Sequence, residues 1–142
     1  MNSNDFKELA RIRLKEARVL LENGCYDGAY YLCGYAVECA LKACIAKQTK
    51  RYDFPDKKTV VESYTHDLEK LVSMRLVGMA TPLLDLEQET KTDPKFGVNW
   101  NIVKDWKEDS RYKKVAEKDA RDLYSAIADR QHGVLRCIKK YW

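Results

Sequence analysis

The sequence carries two imidazoles, His66 and His132, the side-chain type that exchanges protons near neutral pH. His132 stands among residues suited to phosphate chemistry. On one continuous helix, at about 100° per residue, Arg121, Ser125, Asp129, His132 and Arg136 fall within roughly 80° of one another. Such a band offers cations for a phosphate, an imidazole to carry a proton and a carboxylate, Asp129, to orient it. Arg130, two residues from His132, lies about 200° round and flanks the other side of the apolar stripe. His132, Arg136 and Arg121 are therefore candidate catalytic residues, and Asp129 and Arg130 candidate ligand contacts. A solvated helix face whose charges pair locally has the same composition. Gly133 within this helix would cost about 1 kcal/mol relative to alanine, and it would admit a close second helix, as at a dimer seam.

Four further side chains and His66 complete the candidates. Glu38 and Lys42 are four apart, so they can pair on one helix face beside Tyr35, either as a structural salt bridge or as the wall of a ligand cleft. His66 could carry a proton or help cap the helix that follows it. Arg111 could contact phosphate, or pair with an acidic neighbour and brace Trp106 by a cation–π contact. Other chemistries find no support. No paired carboxylates point to glycoside or metal chemistry, and no Gly-rich phosphate loop follows a strand. The five cysteines include no Cys-x-x-Cys pair, so they read as reduced thiols acting as small apolar residues in a cytoplasmic protein. No metal and no cofactor are expected.

These residues must be held by helices. A first helix is predicted over 4–22, capped by Ser3 or Asn4, with Phe6, Leu9, Ala10, Leu14, Ala17, Leu20 and Leu21 on one face and Asn23-Gly24 as its stop. Ile12 and Val19 lie off that face, where they either widen the buried surface or meet another subunit. A second helix over 27–48, capped by Asp27, is apolar nearly all round, which suits the middle of a bundle. Residues 49–64 read as a loop. Thr65 caps a third helix running toward Gly78, and Thr81-Pro82 opens a fourth over about 82–90. Residues 91–113 read as irregular apart from a short helical piece around Trp100, Val103 and Trp106. The last helix is predicted over about 114–140, with Ala120, Leu123, Tyr124, Ile127, Gln131, Val134, Leu135 and Ile138 inward. No strand pattern or repeat interrupts this, so the fold class is all-α: an up-and-down bundle of four to five helices in a single domain spanning 1–142.

At 142 residues, with 45% hydrophobic and 34% charged, the chain is an ordinary globular domain. No apolar run reaches the roughly 18 residues a membrane span needs, and Met1-Asn2-Ser3-Asn4-Asp5 does not resemble a secretory signal. Residues 101–142 carry 11 Lys/Arg against 7 Asp/Glu, a surplus equal to the whole net charge of +4. This is compatible with a polyanion partner and too slight to establish one.

Three stretches together resemble one family. The run from Leu20 to Ala43 contains Gly24-Cys25-Tyr26, then Ala29, Gly34, Ala36, Glu38 and Leu41-Lys42-Ala43. His66-Asp67-Leu68 and the later Trp106 with Arg111-Tyr112 follow in order. This arrangement resembles the HEPN domains (higher eukaryotes and prokaryotes nucleotide-binding). The resemblance implies a helical bundle, usually a homodimer. It implies a setting in toxin–antitoxin pairs, with a small nucleotidyltransferase-like antitoxin as partner, and either ribonuclease activity or non-catalytic binding of RNA or nucleotide.

The nuclease members carry Arg, four to six residues, then His. Here the positions that would hold that Arg are Thr59, Val60 and Val61 before His66, and Ser125, Ala126 and Ile127 before His132. The chain departs from the family at its catalytic motif. Two readings stay open: a module that binds RNA, nucleotide or a partner, and a metal-independent ribonuclease toxin using a rearranged His/Arg site.

Overall fold

A computed structural model of the chain describes residues 1–51, 62–74 and 82–142, and the regular structure among them is helical. Helix α1, Ser3–Glu22, begins at a reciprocal cap in which the Asn2 side chain accepts from the Asp5 N–H and the Asp5 carboxylate accepts from the Asn2 N–H. The cap thus falls one residue ahead of the expected Ser3 or Asn4. The helix ends where Gly24 enters the left-handed region at φ +76°, which lets the Cys25 N–H reach back to the Leu20 carbonyl at 2.8 Å. Ile12 and Val19 are 41% and 51% exposed, so they add nothing to the core of this chain.

Helix α2, Tyr26–Arg51, packs along α1 and also meets the helices that follow. Being covered on several sides explains its all-round apolar pattern. Ala29, Cys33, Ala36, Val37, Ala40, Leu41 and Cys44 are buried, and so are Cys39 and Ala43 on another side. Small side chains along its length let its neighbours approach closely. Burial pushes the Cys33 and Cys44 thiols up to about 12 and Cys39 to about 11, so these sulfurs stay protonated and behave as small apolar groups. Asp27 is not the cap of α2, which begins one residue earlier at Tyr26 and carries Asp27 in its first turn. The Asp27 carboxylate accepts from the Val115 N–H at 2.7 Å and ties the start of α2 to a distant segment.

The remaining elements are α3 (Leu68–Ser73), α4 (Leu86–Thr92), α5 (Pro94–Val103), a short 3-10 helix (Glu108–Tyr112), α6 (Glu117–Ala128) and α7 (Val134–Lys139). Their inward residues, among them Leu71, Phe96, Trp100, Trp106, Leu123, Ile127, Val134 and Ile138, close one core with α2. The result is the all-α bundle expected, with more and shorter helices than four or five.

Several boundaries differ from the sequence expectation for identifiable reasons. Residues 91–113 contain a ten-residue helix, α5. Asp93 caps it by accepting from the Phe96 N–H, and Pro94 occupies its first position. The proline marks a helix start inside a stretch whose sequence reads as irregular. Helix α4 begins after Asp85, which accepts from the Gln88 N–H at 3.1 Å, and not at Pro82. Thr65 is not the cap of α3; Asp67 is, accepting from the Lys70 N–H. Helix α2 continues past 48 to Arg51. Most of the predicted 49–64 loop, along with Arg75, Leu76, Gly78 and Thr81, lies outside the described residues.

The largest correction concerns the last helix, expected to be continuous from 114 to 140. It is two helices, α6 and α7, separated at Asp129–Gly133. The Asp129 carboxylate accepts from the Gln131 and His132 N–H groups at 2.8 and 2.7 Å, supplying an alternative to the helical ladder. Gly133 is required at this break, because a Cβ there would stand 2.4 Å from the Asp129 carbonyl oxygen and 2.6 Å from that of Ile127. Its role is to permit a tight turn of its own chain, at a break between two helices and not inside one.

Candidate functional site

Several of the residues on which the family resemblance rests, Gly34, Glu38, Lys42, His66, Trp106 and Arg111, are scattered over the sequence and linked by contacts in space on one side of α2. Trp106 forms the floor. It is 1% exposed and lies against Gly34, where a Cβ would come within 2.2 Å of the indole ring. Only glycine admits this packing. Tyr31 leans on the same indole at 6.1 Å between centroids and stacks nearly parallel on Tyr35. Burial raises the Tyr35 phenol above its ordinary value.

Glu38 emerges from α2 beside this stack and is 2% exposed. A buried carboxylate needs partners. The closest is the imidazole Nδ1 of His66, 2.6 Å from Oε1, while the Lys42 ammonium stands 3.9 Å from Oε2. The expected Glu38–Lys42 pair therefore exists, but as the looser of two contacts. His66 does not cap α3. It bridges two carboxylates, since its Nε2 faces Glu108 at 3.4 Å. Glu108 in turn holds Arg111 at 3.8 Å. Arg111 does not brace Trp106: its guanidinium lies 4.8 Å over the Tyr112 ring. Tyr112 first, with Tyr31 and Glu108 behind it, raises the Arg111 guanidinium above its ordinary value. The outcome is a relay, Lys42–Glu38–His66–Glu108–Arg111, walled by Tyr31 and Tyr35. Two buried polar atoms on the segment beneath it, Trp106 Nε1 and Ser110 Oγ, have no hydrogen-bond partner among the described residues.

The second predicted group does not assemble. The break at Asp129–Gly133 removes the continuous helix that would have aligned Arg121, Ser125, Asp129, His132 and Arg136. Arg121 stays within α6, paired with Glu117 at 2.8 Å and lying 5.9 Å over the Tyr26 ring. Arg136 donates to the Gln131 carbonyl at 3.1 Å. Asp129 caps backbone and does not orient the imidazole. Arg130 is exposed on the turn. His132 faces elsewhere: its Nδ1 lies 2.9 and 2.8 Å from the two oxygens of Asp93, and its carbonyl accepts from Asn99 at 2.9 Å.

Asp93, Asn99 and Glu108 escaped the sequence reading. A signal existed for Asp93, since Asp-Pro is a helix start, and recognising it would have placed α5. A signal existed for Glu108 too, three residues before Arg111. Nothing local marks Asn99, whose contact spans 33 positions.

Fold and site together define an all-helical domain with a charged, aromatic-walled face on its central helix. The chain belongs to the HEPN family: the family model of the HEPN domain matches residues 3–140. No curated protein and no solved structure matches the chain. Membership makes this a nucleotide- or RNA-related module in general.

Proposed function

We propose that this HEPN domain is a non-catalytic module that binds RNA or a nucleotide through the face formed by Tyr31, Tyr35, Lys42, His66 and Arg111. One observation carries the reading: His66 has a carboxylate at each ring nitrogen, so the imidazole of this face is committed to holding the relay together. Arg111, 45% exposed, offers a guanidinium to phosphate, and the paired tyrosines offer aromatic surface to a base. The lack of an Arg at the family's spacing before either histidine agrees with binding without cleavage. The homodimer, the toxin–antitoxin setting and a nucleotidyltransferase-like antitoxin partner rest on the family resemblance, and His66 and Arg111 would be the first residues to test at such an interface.

A second reading, a metal-independent ribonuclease toxin, is favoured by a different observation: His132 sits on Asp93 with its other ring nitrogen unoccupied among the described residues. RNA binding and cleavage assays run in EDTA separate the two. The binding reading expects retention of RNA without cleavage and a loss of about tenfold in affinity in Arg111→Ala, the worth of one charge-assisted contact. Cleavage by the wild type that disappears in His132→Ala would establish the ribonuclease reading instead.

A further inference from the structure

We propose that Asp93 is the positioning residue of His132, fixing its neutral ring with the proton on Nδ1 and presenting Nε2 as the proton-accepting nitrogen of a second site, for a hydroxyl on a phosphodiester ligand.

The couple is assembled from two ends of the chain. Asp93 stands at the start of α5 and His132 in the break between α6 and α7. Three contacts hold the histidine in register. Asp129 accepts from its N–H, Asn99 donates to its carbonyl, and both oxygens of Asp93 lie within 2.9 Å of Nδ1. A carboxylate can only accept a hydrogen bond, so the proton between the two must reside on Nδ1. The hydrogen bond from His132, the largest influence on it, keeps the Asp93 carboxyl below the ordinary carboxylate range, and it therefore remains an acceptor at neutral pH. Nε2 has no partner among the described residues, and the side chain is 29% exposed, enough for a ligand to reach it.

The surroundings define the ligand class. Arg130 is exposed on the turn, Arg136 is exposed with one guanidinium nitrogen on the Gln131 carbonyl, and the Asp129 carboxyl is lowered first by the His132 and Gln131 N–H groups and, behind them, by Lys95 on α5. Asp93 and Asp129 are both engaged by His132; Cys137 on α7 is close enough to feel the Asp93 charge, and the Glu89 carboxylate on α4 is taken by Lys140 and Tyr141. The cations left at the rim suit a phosphodiester, and the free nitrogen suits a neighbouring hydroxyl proton. The geometry of the couple is independent of whether the chain cleaves RNA; its use in catalysis rests on the ribonuclease reading.

The test is the ring itself, read in the folded chain by 15N NMR and by acylation with diethyl pyrocarbonate followed by peptide mass spectrometry. In the wild type the neutral His132 ring is expected as the Nδ1–H tautomer, with acylation at Nε2. Asp93→Asn replaces an acceptor by a group that can donate. It is expected to turn the ring to the Nε2–H tautomer and to slow acylation of His132 by about tenfold, while Asp93→Glu retains the wild-type tautomer. Identical tautomer and acylation rate in wild type and Asp93→Asn would overturn the proposal. Neither readout depends on RNA cleavage, so failure of the ribonuclease reading and failure of this assignment are distinguishable.

Discussion

The two histidines each rest on a carboxylate through Nδ1, yet they sit in opposite situations. His66 lies between Glu38 and Glu108, with both nitrogens facing carboxylates, and Glu38 is all but sealed from solvent. His132 has a carboxylate on one nitrogen only, and its partner Asp93 is 27% exposed. The first arrangement spends the whole imidazole on joining α2, the α3 approach and the 3-10 helix. The second leaves half of the ring available. A histidine's capacity for chemistry is thus set by what its second nitrogen faces, and residue type or local spacing does not reveal that.

The strongest way to break this comparison is to remove the floor of the first region. Trp106→Ala should cost about 3–5 kcal/mol, as for other large buried aromatics, measured by chemical denaturation. A loss under about 1 kcal/mol would mean that the indole is not what holds the His66 face. Next in size is Glu38→Ala, expected to cost about 2–3 kcal/mol because it strands His66 and Lys42 beside a buried void. Asp93→Asn should lower the melting temperature much less, and equal losses in the two variants would erase the distinction between a carboxylate sealed from solvent and one partly open to it. The contrast sharpens further in reactivity. His132 should be acylated by diethyl pyrocarbonate about tenfold faster than His66, since only an unoccupied ring nitrogen attacks. Equal rates would show that the Glu108 contact does not protect His66.

The smallest effect is a pH dependence. The Asp93 carboxyl is held below its ordinary value, chiefly by the hydrogen bond from His132. A depressed carboxyl contributes stability above its unfolded-state value, about 3.9, and that contribution is lost as pH falls through the folded value. The stability gap between wild type and Asp93→Asn should therefore narrow below about pH 4. A constant gap from pH 7 to 3 would contradict the pairing.

Much of the fold was legible because it depends on local patterns. The apolar face of α1 and the all-round apolar character of α2 identified an outer and a central helix, and Ala10, Ala17, Leu21, Ala29 and Cys33 are buried as that pattern requires. The break at Asp129–Gly133 was not legible from periodicity, because Ile127, Val134 and Ile138 keep helical spacing across it. The competing Asp129 side chain decides the matter. The site divides the same way. The Glu38–Lys42 pair, His66 and Arg111 are each marked in the sequence, but their union depends on contacts such as Glu38–His66 that cross 28 positions. The band through Arg121 and His132 was an extrapolation from a helix that does not continue.

The central claim is that the His66–Arg111 face binds and does not cleave. The direct test is one RNA, incubated in EDTA with wild type, Arg111→Ala and His132→Ala, with filter binding and cleavage read from the same samples. The account predicts intact RNA throughout, with affinity about tenfold weaker in Arg111→Ala. Cleavage by the wild type that is lost in His132→Ala, or binding indifferent to Arg111, would contradict it.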